Sequence, residues 1–96
     1  MVEHKVIQIG AKKIEGYSIN LQSKNLVLLR GSKGYVMCGY LDMAVAEKFG
    51  DAAVKITGVA TVDDAVKAHV HSCSSAARAL GISEGQPISD ILPLIC

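Results

Sequence analysis

Cys38 is the residue whose type and position are best suited to chemistry. It ends a predicted strand, is followed by Gly39, and lies just before a predicted helix that Asp42 would cap. Amide groups at the start of a helix favour negative charge and lower the pKa of a nearby thiol. Glycine has no side chain, so a substrate can approach its backbone closely. These features indicate a candidate site, with Cys38 and Asp42 as catalytic residues or Cys38 and Gly39 as ligand contacts.

Structural roles also account for the same residues. Free cysteine is among the most buried residue types, and aspartate is a preferred helix N-cap. No base can be assigned to Cys38, because His4, His69 and His71 are all distant from it along the chain. We therefore favour a buried Cys38 and a capping Asp42, and we keep a small-molecule enzyme or ligand-binding site centred on Cys38 as the alternative.

His69, His71 and Cys73 form a short run of residues that zinc often uses as ligands. Positions i, i+2 and i+4 share a face only on a strand, and this stretch leads into a helix predicted to begin near Ser72. A fourth ligand is also missing from the run. We therefore predict no metal site here and no bound cofactor.

The elements that must position these residues begin with four short strands. Apolar and polar residues alternate, in part, along 2–9 and 14–21, as in strands that are buried on one face. Residues 26–29 form a continuous apolar run, and residues 35–38 form a fourth strand. Because short turns separate these segments, we predict an N-terminal antiparallel β-meander.

The second half of the chain has mainly helical patterns. Asp42 would cap a helix that ends at Phe49 and stops at Gly50, with Met43, Ala46 and Phe49 on its inner stripe. The other predicted elements are a strand over 53–59, a helix over 62–68 capped by Thr61, a helix over 72–80 closed by Gly81, and a last helix opened by Pro87 and closed by Pro93. The predicted fold class is α+β, in a single domain over residues 1–96.

The composition points to self-association. Half of the 96 residues are apolar, with no tryptophan and one phenylalanine, which is a large apolar content for so small a domain. An interface between subunits would bury the surplus as a core does. We therefore predict a homo-oligomer, acting as a binding or assembly module, and we assign the strand face of Tyr17, Ile19 and Leu21 to one interface.

Charge and hydropathy argue against several other classes. The net charge is +1 with no basic face, so nucleic acid is not an expected partner. No apolar run approaches the ~20 residues of a membrane span, and the N-terminus lacks a long apolar segment of a secretory signal. An odd number of cysteines without framework spacing favours a reducing cytoplasm. Cys96, the last of the three, is expected to be exposed.

Three stretches of the sequence resemble a known family. They are residues 34–42, which read Gly-Tyr-Val-Met-Cys-Gly-Tyr-Leu-Asp, residues 58–64, and residues 76–82. Together they are similar to the YunC-like proteins of bacteria and archaea, a family defined as a domain of unknown function. The resemblance implies a β-rich N-terminal region that forms a tetramer, and it brings no activity, cofactor or catalytic residue. The His-Val-His-Ser-Cys run is not part of that family's pattern, and Gln86-Pro87 also departs from it.

Overall fold

The computed structural model describes residues 2–96 as one six-stranded sheet with four helices. The strands lie in the order β1-β2-β3-β4-β5-β6, which is also their order along the chain. They are β1 (Val2–Ile9), β2 (Lys12–Asn20), β3 (Asn25–Arg30), β4 (Tyr35–Met37), β5 (Ala53–Lys55) and β6 (Ser72–Cys73). The helices are α1 (Met43–Phe49), α2 (Val62–Lys67), α3 (Ser75–Ala79) and α4 (Ile88–Ile95).

The first four strands form the predicted antiparallel meander, and the α+β fold class is confirmed. The direction changes after β4, because α1 carries the chain back so that β5 runs parallel to β4. The short β6 then pairs antiparallel with β5. The sheet therefore contains one parallel pair, β4 and β5, whose carboxyl ends lie at the same edge.

One face of the sheet, here called the inner face, carries the main core. Its strand residues include Ile14, Val27 and Val36, none of which is accessible to solvent. Helices α2 and α4 pack over this face and contribute Val62 and Ile91 to the same cluster. Gly16 also lies on this face, and an added Cβ would come within 2.7 Å of a Val62 methyl group. A glycine is therefore required where α2 approaches β2.

The opposite face, here called the outer face, is covered only in part. Helix α1 packs over the β4–β5 region through a small cluster of Leu41, Ala46 and Ala53. Asp42 caps this helix, and Gly50 ends it in a left-handed conformation with a φ of 71°, as predicted from the sequence. Within residues 2–96, the helix with extensive contacts to β2 and β3 is α2, which lies on the inner face, and Val2 and Val6 on the outer face of β1 are 64% and 51% exposed.

The prediction of a helix over 72–80 is wrong about where the helix begins. Residues Ser72 and Cys73 form β6, because they pair with β5, and the helix begins only at Ser75. Ser74 is its N-cap, and its hydroxyl oxygen also accepts a hydrogen bond of 2.9 Å from the Ala53 N–H. The strand predicted over 53–59 ends at Lys55, and the left-handed Gly58 lies in the loop that follows. Long-range pairing thus overrode the local helical pattern.

Three further expectations are corrected. Phe49 does not lie on the inner stripe of α1, since it is 71% exposed. Pro93 lies inside α4 and does not close it, because the last turn is held by buried Ile95 and by a bond from the Cys96 N–H to the Leu92 carbonyl. Cys96 was expected to be exposed but is buried, and its carbonyl accepts a hydrogen bond from the Ser32 hydroxyl. No helix among residues 2–96 has the length and apolar character needed to span a bilayer.

Candidate functional site

A cleft of about 760 Å³ lies where the parallel strands β4 and β5 end. Its walls come from three separate segments, residues 23–25 of the β2–β3 turn, residues 38–40 after β4 and residues 57–60 after β5. In open, mostly parallel α/β sheets ligands commonly bind at the carboxyl ends of the strands, and the β4–β5 pair reproduces that arrangement locally. The volume is also within the range of small-molecule sites.

Asn25 joins two walls of the cleft. Its amide nitrogen donates a hydrogen bond of 2.8 Å to the Ala60 carbonyl, which also accepts one of 3.3 Å from the Ser18 hydroxyl. The Asn25 side-chain oxygen in turn accepts a 2.8 Å hydrogen bond from Asn20. Since these bonds connect β2 and β3 to the loop after β5, they fix the width of the cleft.

Cys38 contributes its thiol to the cleft from the side of the main core. It is 5% exposed, and the Val27 N–H donates a hydrogen bond of 3.3 Å to its sulfur. The Sγ lies 4.0 Å from the Asn25 carbonyl oxygen, which accepts its weak hydrogen bond. The thiol is therefore anchored on β3, in the buried position that a structural cysteine takes. Gly39 lines the same cleft, and a Cβ added there would meet no atom within 4 Å.

Asp42 lies outside the lining of the cleft and caps helix α1. Its Oδ1 accepts hydrogen bonds from the N–H groups of Ala44 (3.0 Å) and Val45 (3.3 Å). These first-turn amides are therefore occupied by Asp42, and Cys38 takes its hydrogen bond from β3 instead. The structure brings Cys38 and Gly39 together at the cleft and places Asp42 outside its lining.

The cleft includes polar side chains that were not singled out from the sequence. Lys24, Tyr40 and Thr57 are among its lining residues, and their side chains carry an ammonium group and two hydroxyls. In the described part of the chain, no histidine and no carboxylate lines this cleft. Lys24 and Thr57 belong to no motif, and Tyr40 lies in the 34–42 stretch but was assigned no role. Each of the three comes from a different connection, and only the sheet places them side by side.

The histidines and the cysteine of the His-Val-His-Ser-Cys run lie in different environments. His69 and His71 are exposed, whereas Cys73 is buried and its sulfur lies 3.8 Å from the Ile82 carbonyl oxygen. Burial raises the pKa of the Cys73 thiol, so it stays protonated near neutral pH. Among residues 2–96, no three histidine, cysteine or acidic side chains are grouped closely enough to hold a metal ion.

Comparison with known proteins gives relatives without a known activity. Residues 37–95 match a family model described as a domain of unknown function, DUF1805. The uncharacterized protein YunC of Bacillus subtilis is 34% identical over 89 residues, covering 88% of each chain. A protein of unknown function from Thermoplasma acidophilum, TA1206, has a crystal structure that matches with a TM-score of 0.95 and 36% identity, over 100% of this chain and 94% of that one. These matches confirm the resemblance to the YunC-like family that the sequence motifs indicated.

Proposed function

This chain belongs to the DUF1805 family of domains of unknown function, and we propose that it is a self-assembling module that associates with copies of itself through its N-terminal strands. The observation that carries this proposal is the uncovered outer face of β1, β2 and β3.

The uncovered part of the outer face is mainly apolar. Across the β1–β2 ladder, Val2 pairs with Ile19, His4 with Tyr17, and Val6 with Glu15, so their side chains share one face. On the other side of β2, Tyr17 pairs with Leu28 and Ile19 with Leu26. We call these residues, without Glu15 and Leu26, the outer patch: Val2, His4, Val6, Tyr17, Ile19 and Leu28. Leu26 packs against the main core instead. Val2 is 64% exposed and Val6 51%, which is the kind of apolar surface that marks interaction sites.

The outer patch includes two of the three residues expected at an interface. Tyr17 and Ile19 belong to it, and the ring of Tyr17 stacks on His4 with centroids 4.7 Å apart. Leu21 lies one residue beyond the end of β2 and is 40% exposed. The stacked rings give the patch a flat, rigid centre against which a second surface can pack.

The edge of β1 supplies a second surface for self-association. This strand has eight residues and pairs only with β2, so within residues 2–96 its other edge has no partner strand. Such an edge is a template for pairing with another chain. Two copies of β1 in antiparallel orientation would be related by a twofold axis, since each strand then offers the other the same groups.

A second copy of the chain fits these two surfaces better than an unrelated partner. Face-to-face contact and edge-to-edge contact are both self-complementary, and two different twofold contacts on one subunit generate a tetramer. The charges at the end of the face support this arrangement, because Glu15 and Arg30 lie opposite each other, 4.0 Å apart, and the same two charges can pair between copies. We therefore propose a homotetramer. We also propose a cytoplasmic location, supported by three cysteines that are all free thiols.

An enzyme that uses Cys38 as its nucleophile is less well supported. A thiol nucleophile needs an activating base or positive charge beside it, and the hydrogen-bond partners of the Cys38 sulfur are backbone groups of Val27 and Asn25. We expect slow alkylation of Cys38 by iodoacetamide in the native protein, mapped by mass spectrometry. Fast labelling at pH 6 would contradict this expectation and restore the catalytic alternative.

Native mass spectrometry and light scattering of the purified chain test the assembly directly. We expect four times the chain mass at micromolar concentration, with dimers appearing on dilution because the two contact types differ in strength. A monomer at all concentrations would refute the proposal. A stable dimer would retain one contact and refute the tetramer.

A further inference from the structure

We propose that the cleft at the ends of β4 and β5 binds a small monocarboxylic acid, with Lys24 as the residue that recognises its carboxylate. This inference concerns a different surface from the outer patch. The inference does not depend on self-assembly, because all the residues that line the cleft belong to one chain.

The charge of the cleft selects an anion. Among the described residues that line the cleft, Lys24 is the one with a cationic side chain, and none has an acidic side chain. The ion pairs formed within residues 2–96 use other side chains, so the Lys24 ammonium is not neutralised by a neighbour. A bound carboxylate would supply the missing partner through a charge-assisted hydrogen bond.

The single lysine of the cleft favours a ligand with one negative charge. A phosphate monoester carries up to two negative charges and is usually held by arginine forks or several donors in a nest. Within residues 2–96, the lining of the cleft includes one lysine and no arginine. Hydroxyls of Tyr40 and Thr57 can then complete the hydrogen bonds of one carboxylate.

The remaining walls fit a short apolar body. Cys38 and Val59 are apolar residues of the lining, and at Gly39 an added Cβ would meet no atom within 4 Å. Asn25 is already engaged with Ala60, so the walls are set before a ligand arrives. Preformed walls lower the ordering cost of binding a small ligand. A carboxylate with a compact aliphatic or aromatic tail therefore matches both parts of the cleft.

The test is a titration of the full chain followed by ¹H–¹⁵N NMR, with sodium butyrate and sodium benzoate as probes. We expect either probe to shift the amide signals of Gly39 and Gly58. Butyramide has the same shape without the charge, and inorganic phosphate has the charge without the tail. Both should cause much smaller shifts at the same signals. Equal binding of butyramide, tighter binding of phosphate, or no shifts at the cleft would each overturn the proposal.

Two variants keep the test specific. Lys24→Gln should weaken butyrate binding at least about tenfold, since one charge-assisted hydrogen bond is lost. The matched control is Lys33→Gln, which removes an exposed lysine from the β3–β4 turn outside the cleft and should leave binding unchanged. Equal effects of the two changes would overturn the role of Lys24. Gly39→Val adds a side chain where a Cβ has free space. It should preserve folding and obstruct the cleft, and unaltered binding by this variant would place the ligand elsewhere.

Discussion

Replacing Val6 by lysine is the sharpest perturbation of the proposed assembly. Val6 lies on β1 in the outer patch, is 51% exposed, and pairs across the ladder with Glu15. In a single chain the new ammonium would therefore face a carboxylate, which is a favourable cross-strand pair. We expect the monomer to keep its stability to within about 0.5 kcal/mol, as is usual for surface substitutions.

The Val6→Lys substitution costs free energy only when the outer patch is buried against a second copy. Full burial of a valine side chain contributes about 1.5–3 kcal/mol, and about half of Val6 is still available for burial. The loss is therefore about 1 kcal/mol per copy, or about 2 kcal/mol for a twofold contact that contains both. Placing an ammonium without an interchain partner in that contact adds a desolvation cost of about 1–3 kcal/mol. Together these costs are about 3–5 kcal/mol, so the dissociation constant should rise by about two to four orders of magnitude.

Sedimentation velocity over a range of concentrations measures this change, with circular dichroism to confirm that the variant is folded. The matched control is Val45→Lys, because Val45 is a valine of nearly equal exposure, 47%, on helix α1 outside the outer patch. We expect Val6→Lys to dissociate and Val45→Lys to assemble as the wild type does. If the folded Val6→Lys chain sediments like the wild type, or if the control dissociates equally, the outer patch is not the interface.

Two other predictions concern packing and protonation at the start of β4, away from the cleft. Gly31→Ala should lower the free energy of unfolding by about 1–3 kcal/mol, because its Cβ would overlap the Ile95 carbonyl oxygen at the end of α4. In the control Gly39→Ala the added Cβ meets no atom, so its free energy of unfolding should stay within about 0.5 kcal/mol of the wild type. Equal urea denaturation midpoints for the two variants would contradict the packing described for α4. Burial, then the hydrogen bond to Asp51, raises the pKa of Tyr35 to about 12. The Tyr35 hydroxyl therefore keeps its proton in the folded chain at pH values where the unfolded chain has lost it. The stability that the protonated Tyr35 contributes is present below pH ~10 and is lost between pH ~10 and 12. In a titration of phenolate absorbance, Tyr35→Phe should remove the latest phase, and a wild-type titration without that phase would refute the assignment.

The features that the sequence predicted well are the ones encoded by neighbouring residues. The start of α1 depends on the hydrogen-bonding oxygen of Asp42, and its end depends on the freedom of Gly50 to take a positive φ. The cap of α2 is similar, since the Thr61 hydroxyl accepts a hydrogen bond of 3.0 Å from the Asp64 N–H. Each of these arrangements spans only a few residues, so the local pattern was sufficient to predict it.

The candidate site could be predicted only in part. Cys38 and Gly39 were found because strand, thiol and glycine are adjacent in sequence, and both line the cleft. Lys24 was missed, since a lysine in a turn has no distinctive pattern. Asp42 was included because it is close in sequence, but it lies apart from the cleft with its Oδ1 bonded to the amides of α1.

By itself, the sequence determined the α+β class, the meander, most helix ends and the excess of apolar residues, because alternation, caps and composition act locally or in sum. Only the tertiary structure decided that Ser72 and Cys73 join the sheet and that Phe49 faces solvent. The tertiary structure also decided that three separate turns meet at one cleft and that the outer face of β1, β2 and β3 is left uncovered. These outcomes depend on contacts between residues far apart in the chain, where the burial of one surface competes with the burial of another.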